Sequence, residues 1–299
     1  MATALDTVGG LTFLHHNQAT DDQAEQVRQV KKSSSKALVG AGVNTHDYQQ
    51  RIPALVTAGV DVLCVDSSDG HSAWQADVLA YAREHFPELP VGGGNVVDRA
   101  GFDFLAAAGA SFVKVGIGGG SVSTARDHKG IGRGQASALR EVAEARDALH
   151  RQTGEYVPLV CDGGILLDCH MVLALAMGAD ALMMGRYFAR FDQSPGRMVR
   201  VGQGYFKEYW GEGSPRGQRH HGSQIVHEEG AEGYVPYAGD LEVGVSGTLA
   251  KIRAAMVGCG AQDLPALRAG ARIVRISQQS FLENTHHLRL RENDEVRLA

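Results

Sequence analysis

The stretch Ala108-Gly109-Ala110-Ser111-Phe112-Val113-Lys114-Val115-Gly116-Ile117-Gly118-Gly119-Gly120-Ser121 holds one complete structural transition. A small residue and a glycine close a helix, because glycine takes the left-handed position after a helix without steric cost. An apolar run begins two or three residues later, and a glycine-rich loop follows it. The same order recurs at Gly9-Gly10-Leu11 before LTFLH, at Ala58-Gly59-Val60 before DVLCVD and at Met177-Gly178-Ala179 before DALMMG. These runs are short and do not alternate with polar residues, as expected of parallel strands buried on both faces.

With ALVGAGV (37–43), PVGGGNV (90–96) and PLVCDGG (158–164), seven strands are predicted, most of them separated by amphipathic helices. In the longest helix Leu139, Val142, Ala145 and Leu149 share one face. In another, Asp168 is the expected N-cap and Gly178 the stop. Strand–helix alternation of this kind implies parallel βαβ units, in a barrel or a doubly wound sheet. Five runs end in small, polar or glycine clusters: Asp66-Ser67-Ser68, Gly94-Asn95, Gly116 to Ser123, Asp162-Gly163-Gly164 and Gly185-Arg186. A site assembled from many strand ends is barrel behaviour, and no GxGxxG follows a strand as a Rossmann fold would require. The expected fold is therefore an α/β TIM-type (β/α)8 barrel, one domain over residues 1–299 with seven canonical strands visible. Residues 187–239 break the rhythm and read as a flap insertion. Helices are expected to resume at about 240–257 and 262–268, ahead of a polar tail (284–299).

Composition narrows the function classes. The 299 residues carry 29 basic and 34 acidic side chains, a net charge of −5, which argues against nucleic acid as a partner. No apolar run approaches the ~18 residues of a membrane span. The first ten residues lack a signal-peptide pattern, so a cytoplasmic protein is expected. Cys64 and Cys161 lie inside apolar runs, and no Cys or His spacing matches a metal centre, so the thiols are expected to be structural. The paired histidines His15-His16, His220-His221 and His286-His287 are expected to be loop or surface residues, although His16 ends a strand and can reach a ligand.

The chemistry concentrates in the loops. Gly116 to Ser121 leaves backbone N–H groups free to converge on an anion. Asp162-Gly163-Gly164 and Gly185-Arg186 end the last two predicted strands, the usual phosphate pocket of a barrel. Asp162 is suited to ribose hydroxyls, since its charge would repel a phosphate. Asp66, with Ser67 and Ser68, can hold a second ribose, as from a nicotinamide cofactor, and Trp74 can stack on a ring. A capped helix start explains the Asp66 cluster about as well.

At these residues the chain resembles the IMP dehydrogenase/GMP reductase family over almost its whole length. The likeness is carried by Val115-Gly116-Ile117-Gly118-Gly119-Gly120-Ser121 with Thr124 and Arg126, and by Asp162-Gly163-Gly164-Ile165. It extends to Glu208-Tyr209-Trp210-Gly211-Glu212-Gly213-Ser214, Glu228-Glu229-Gly230 and Tyr234-Val235-Pro236-Tyr237-Ala238-Gly239, and to Val65-Asp66-Ser67-Ser68-Asp69-Gly70. The bacterial-type dehydrogenases are the nearest in pattern. The resemblance implies covalent catalysis at C2 of a purine nucleoside 5′-monophosphate, with hydride exchanged with NAD or NADPH. It implies Ser121, Gly164, Gly185 and Tyr209 at the phosphate and Asp162 at the ribose. Glu212, Gly213 and Glu229 would face the base, and Asp66 the nicotinamide ribose. Carbonyls of the Gly116–Gly118 loop, with Ser123, would help hold a monovalent cation such as K+. A homotetramer is also implied, the tail near Glu283 reaching a neighbour's cation loop.

Four departures stand beside these matches. The family's nucleophilic cysteine, in the pattern Gly-Ser-x-Cys-Thr, is Ser123 here, and a hydroxyl is far less nucleophilic than a thiolate without a base. The paired regulatory (CBS) domains are absent: the chain runs from Lys31-Lys32 through Ser33-Ser34-Ser35 straight into a strand. The flap's water-activating Arg-Tyr pair becomes Arg219-His220. Met1 aligns inside the family's first helix, so the first barrel strand is missing, and two sheet edges are expected to be exposed unless another segment or chain fills the gap. The absent regulatory pair and the altered flap favour reductive deamination of the GMP-reductase type, with Thr124 and Glu229 as polar helpers. A 7-deazapurine nucleotide is a further substrate class. Two alternatives stand: an IMP dehydrogenase aided by Arg219 or His220, and a nucleotide-binding protein without turnover.

Overall fold

A computed structural model describes residues 1–34, 36–220 and 230–283; of His220 only the backbone is described. All seven predicted strands form, and they pair in parallel in chain order: β1 (Phe13–Leu14), β2 (Gly40–Val43), β3 (Val62–Asp66), β4 (Val91–Val96), β5 (Val113–Val115), β6 (Leu159–Asp162) and β7 (Ala181–Met183). β1 and β7 stand at the two ends and do not pair with each other, so the sheet is a partial TIM barrel with two open edges, as expected. The glycines expected to close helices, Gly9, Gly59, Gly109 and Gly178, all take positive φ, between 76 and 116°.

Alternation along each strand divides core from site. In β3, Leu63 and Val65 are fully buried against the helices, whereas Val62, Cys64 and Asp66 face the barrel interior. In β5, Val113 and Val115 are buried outward while Lys114 faces inward. Each outward leucine or valine withdrawn from water contributes about 1.5–3 kcal/mol, and the ring of helices exists to cover them. The longest helix, Gln135–Thr153, buries Leu139, Val142 and Ala145, with Leu149 partly buried beside them.

Side-chain caps start the helices where the strands hand over. Ser72 accepts from Gln75 N, Asp98 from Gly101 N at 2.8 Å and Asp263 from Ala266 N at 2.8 Å, each cap worth about 1 kcal/mol. Asp168 is not the cap predicted for it. Leu167 holds that position, and Asp168 is the first helical residue, paired to Lys251 at 2.6 Å. There its charge favours the positive helix end.

The flap also differs from the expectation. Its first residues continue a short helix, Gly185–Ala189, and the rest contains an antiparallel sheet of β8 (Met198–Val201), β9 (Gly204–Trp210) and β10 (Glu232–Pro236). Helices then resume at Leu241–Gly258 and Leu264–Gly270, close to the expected bounds. Met1 and Leu5, at the start of the chain, pack with Tyr187, Phe191, Leu241 and Val245, bridging the outside of the sheet gap. Behind them lies an elongated, mostly apolar cavity of about 1420 Å³ that runs up to Asp66, Lys114 and Tyr209. Among the described residues no helix is long and apolar enough to cross a membrane.

Candidate functional site

The strand ends form a mouth, and a buried cation sits at its centre. Lys114 projects from β5 with its ammonium 3.0 Å from Asp66 Oδ1 and 3.2 Å from Asp162 Oδ2, and its side chain is 5% exposed. Burial works against its charge, but the Asp162 and Asp66 carboxylates outweigh it and hold the amine protonated. Asn95 adds a second donor to Asp162 Oδ2 at 2.9 Å and donates to the Gly116 carbonyl at 2.6 Å. The two carboxylates assigned to riboses thus share one frame.

The two glycine loops are joined directly. Gly164 N donates to Gly119 O at 2.8 Å, and a Cβ on Gly163 would lie 2.9 Å from the Gly119 carbonyl carbon. At Gly116, φ is +139° and a Cβ would collide with the Asp162 carbonyl oxygen. Only glycine permits this approach, so Gly116 and Gly163 serve the packing of the loops. Gln135 fastens the cradle from outside, donating to Val115 O at 2.7 Å and to the Cys161 sulfur at 3.1 Å.

On the opposite side Tyr209, from β9, lays its hydroxyl against Gly185 at the start of the short helix. Burial and then the Asp162 charge push the Tyr209 phenol up, with Arg186 opposing, so all three lie within electrostatic reach of one another. Partial burial and the Asp66 carboxylate raise Glu212. His16 is lowered by burial, partly offset by Asp66. The structure therefore gathers Asp66, Asp162, Tyr209, Arg186, Glu212 and His16 around one opening.

The loop carrying Ser121 and Ser123 is tied to the flap. Ala231 N donates to Val122 O at 2.8 Å, Gly211 N donates to Ala231 O at 3.0 Å, and Ser123 bridges Gly230. Gly213 follows in the same turn, ahead of the fully buried Ser214. Ser123 is exposed, and its hydroxyl accepts from Ala125 N at 3.4 Å. Thr124 Oγ1 is buried without a hydrogen-bond partner among the described residues, an acceptor or donor left for something else.

Some expected residues are placed otherwise. Ser67 is expected at a cofactor, but its hydroxyl donates to Asp69 O and accepts from Gln75 at 2.8 Å, which makes it part of the loop frame. The Gly116 carbonyl receives Asn95 at 2.6 Å and keeps a second lone pair for a further partner. Gly118 and Ser123 remain in that loop. Ser68 and Trp74 stand exposed at the rim, Trp74 by 70%. Arg219 is exposed in the helix Pro215–His220, and Glu229 lies outside the described residues. Lys114, Gln75 and Gln135 are not among the site residues expected from the sequence, and Asn95 is there only as part of a strand-end cluster. One signal for Lys114 was present: it is the sole charge in the apolar run 112–117.

The riboses of a nucleotide and of a dinucleotide cofactor such as NAD fit this donor and acceptor set. Asp66 and Asp162 each keep one oxygen clear of Lys114, and Asn95 Oδ1 is buried without a hydrogen-bond partner among the described residues, so the frame offers acceptors to hydroxyl donors such as those of a ribose.

The comparisons agree with this chemistry. A family model described as IMP dehydrogenase / GMP reductase domain matches residues 1–287. An inosine-5′-monophosphate dehydrogenase of Tritrichomonas foetus is 50% identical over 262 residues, covering 85% of this chain and 52% of its own. The enzymes of the same name from Chlorobaculum tepidum and Escherichia coli K12 are 38% and 37% identical, covering 86% and 84% of this chain and 54% and 52% of theirs. The chain spans about half the length of the curated relatives it matches.

Proposed function

The chain belongs to the IMP dehydrogenase/GMP reductase family, and from that membership we propose that its mouth binds IMP and NAD in the dehydrogenase arrangement, with Ser123 holding turnover far below that of a cysteine site. The observation that carries the reading is the pair of carboxylates, Asp66 and Asp162, fixed side by side over the joined glycine loops. Ser121, Gly164, Gly185, Arg186 and Tyr209 hold the phosphate. Asp162 accepts from the ribose, Asp66 from the cofactor's ribose, and Glu212 and Gly213 meet the base. When bound, NAD takes up hydride from C2 of the purine. A monovalent cation, K+ among others, belongs to the Gly116–Ser123 loop in this reading.

The relatives' names move the balance from reductive deamination, the leading reading of the sequence, to its oxidative alternative. Ser123 sets the limit. A hydroxyl attacks C2 only after losing its proton, and its hydrogen bond from Ala125 N supplies no base. This favours, as a second reading, a chain that binds both nucleotides and turns over neither. A homotetramer is supported by large apolar side chains exposed on the outside, among them Val243, Val257 and Phe281; light scattering checks it.

The test compares wild type with Ser123→Cys. Calorimetry with IMP is expected to show binding by both, and IMP with NAD is expected to yield NADH about 100-fold faster in S123C. Consumption of NADPH with GMP by S123C, and no NADH from IMP, would return the reductive reading. If S123C binds IMP and reacts with neither pair, the binding-only reading stands. If IMP binds to neither protein, the nucleotide assignment is wrong.

A further inference from the structure

The role of Lys114 is not explained by packing. Its side chain is 5% exposed, and its ammonium has a partner for each of its three protons: Asp66 Oδ1 at 3.0 Å, Asp162 Oδ2 at 3.2 Å and Met183 Sδ at 3.7 Å. A buried cation is costly unless paired, and an apolar residue of the same size would pack the barrel interior at lower cost. What the cation does is geometric. It draws one oxygen from a carboxylate on β3 and one from a carboxylate on β6, with its own strand β5 between β6 and β4 in the sheet. The other oxygen of each carboxylate is left toward the mouth. Asp66 is 45% exposed and Asp162 26%, so neither would hold one orientation against water unaided.

We propose that Lys114 is a positioning residue that locks the Asp66 and Asp162 carboxylates in register, and so sets how the two nucleotides face each other. The inference rests on the nucleotide reading of the mouth and adds a coupling to it: loss of one side chain weakens both ligands through the two carboxylates it holds. Asn95 strengthens the Asp162 side, donating at 2.9 Å, and makes no side-chain hydrogen bond to Asp66 among the described residues. Removing Asn95 is therefore expected to affect the purine nucleotide more than the cofactor.

The test measures IMP and NAD affinities separately by calorimetry, in wild type, Lys114→Met, Lys114→Ala and Asn95→Ala. K114M is expected to weaken both ligands by about tenfold or more, the scale of a lost charged hydrogen bond. In K114A, added propylammonium is expected to restore both affinities, whereas propanol, which fills the same space without charge, restores neither. If K114M does not fold, Lys114→Arg is read instead: it keeps the charge on a planar fork of different reach, and both affinities are expected to fall together. Unchanged affinity, a loss confined to one ligand, or equal rescue by propanol overturns the proposal. Absence of IMP and NAD binding by the wild type fells the nucleotide reading, and the coupling with it; binding by the wild type with an unaffected K114M fells the coupling alone.

Discussion

Strands β2 to β6 have a neighbour on both edges, whereas β1 and β7 have a neighbour on one. The paired wall buries its outward side chains completely, Leu63, Val65, Val113, Val115 and Leu159 among them. The open edges are short and partly exposed: β1 has two residues, β7 has three, and Ala181 faces solvent. The candidate site straddles the two. Asp66, Lys114 and Asp162 stand on the paired wall, and Gly185 follows the open edge, steadied by Tyr209 from the flap. In the proposed reading, ribose recognition stands on strands paired at both edges, and part of the phosphate recognition stands beside an open edge.

The sharpest way to break this contrast is at Gly116. Gly116→Ala places a methyl against the Asp162 carbonyl oxygen at a φ that suits only glycine. A loss of about 3 kcal/mol or more is expected, with IMP binding abolished. Denaturant unfolding and calorimetry check it, and a variant that binds IMP normally would show that the loops can separate. A matched pair of leucines comes next. Leu63→Ala on the wall is expected to cost about 3 kcal/mol, because the cavity it leaves is enclosed. Leu14→Ala on the open edge, already facing a void, is expected to cost about 1 kcal/mol. Equal costs in urea unfolding would mean that the gap is closed in solution.

The barrel was legible in the sequence because four helix–glycine–strand transitions repeat and because parallel strands need no alternation to be recognised. The loops that carry Ser121, Asp162, Gly164 and Gly185 were legible from local spacing, and Tyr209 from the family resemblance alone. The frame beneath was not. Gln75 reaches across from its helix to Gly94, Asn95 to Asp162, and Lys114 to partners 48 residues away on either side. Such contacts are set by the curl of the sheet, which no local pattern encodes. The flap sheet escaped for a related reason. Its strands β9 and β10 pair Trp210 with Glu232, far apart in the sequence, and their faces are mixed in polarity.

The smallest expected effect lies at the mouth between the two regions. Partial burial and Asp66 raise the Glu212 carboxyl in the folded chain. Below the ordinary carboxylate range it is protonated in both states and adds nothing. As pH rises past that range, the unfolded chain ionises first, and folding loses stability until the raised folded value is passed. Glu212→Gln removes that cost. Its melting temperature is expected to exceed wild type slightly at neutral pH and to equal it in acid. A difference that persists in acid would assign the effect to packing.

The join between Ser123 and Gly230, with Ala231 donating to Val122, has a mechanical consequence. A door and its latch here share one hinge pin. The backbone that carries the would-be nucleophile is hydrogen-bonded to the root of β10, so any swing of that strand must either carry Ser123 with it or break those bonds. Movement of the root of β10 and movement of the Ser123 loop are then a single degree of freedom, and a substitution at Gly230 would disturb both at once.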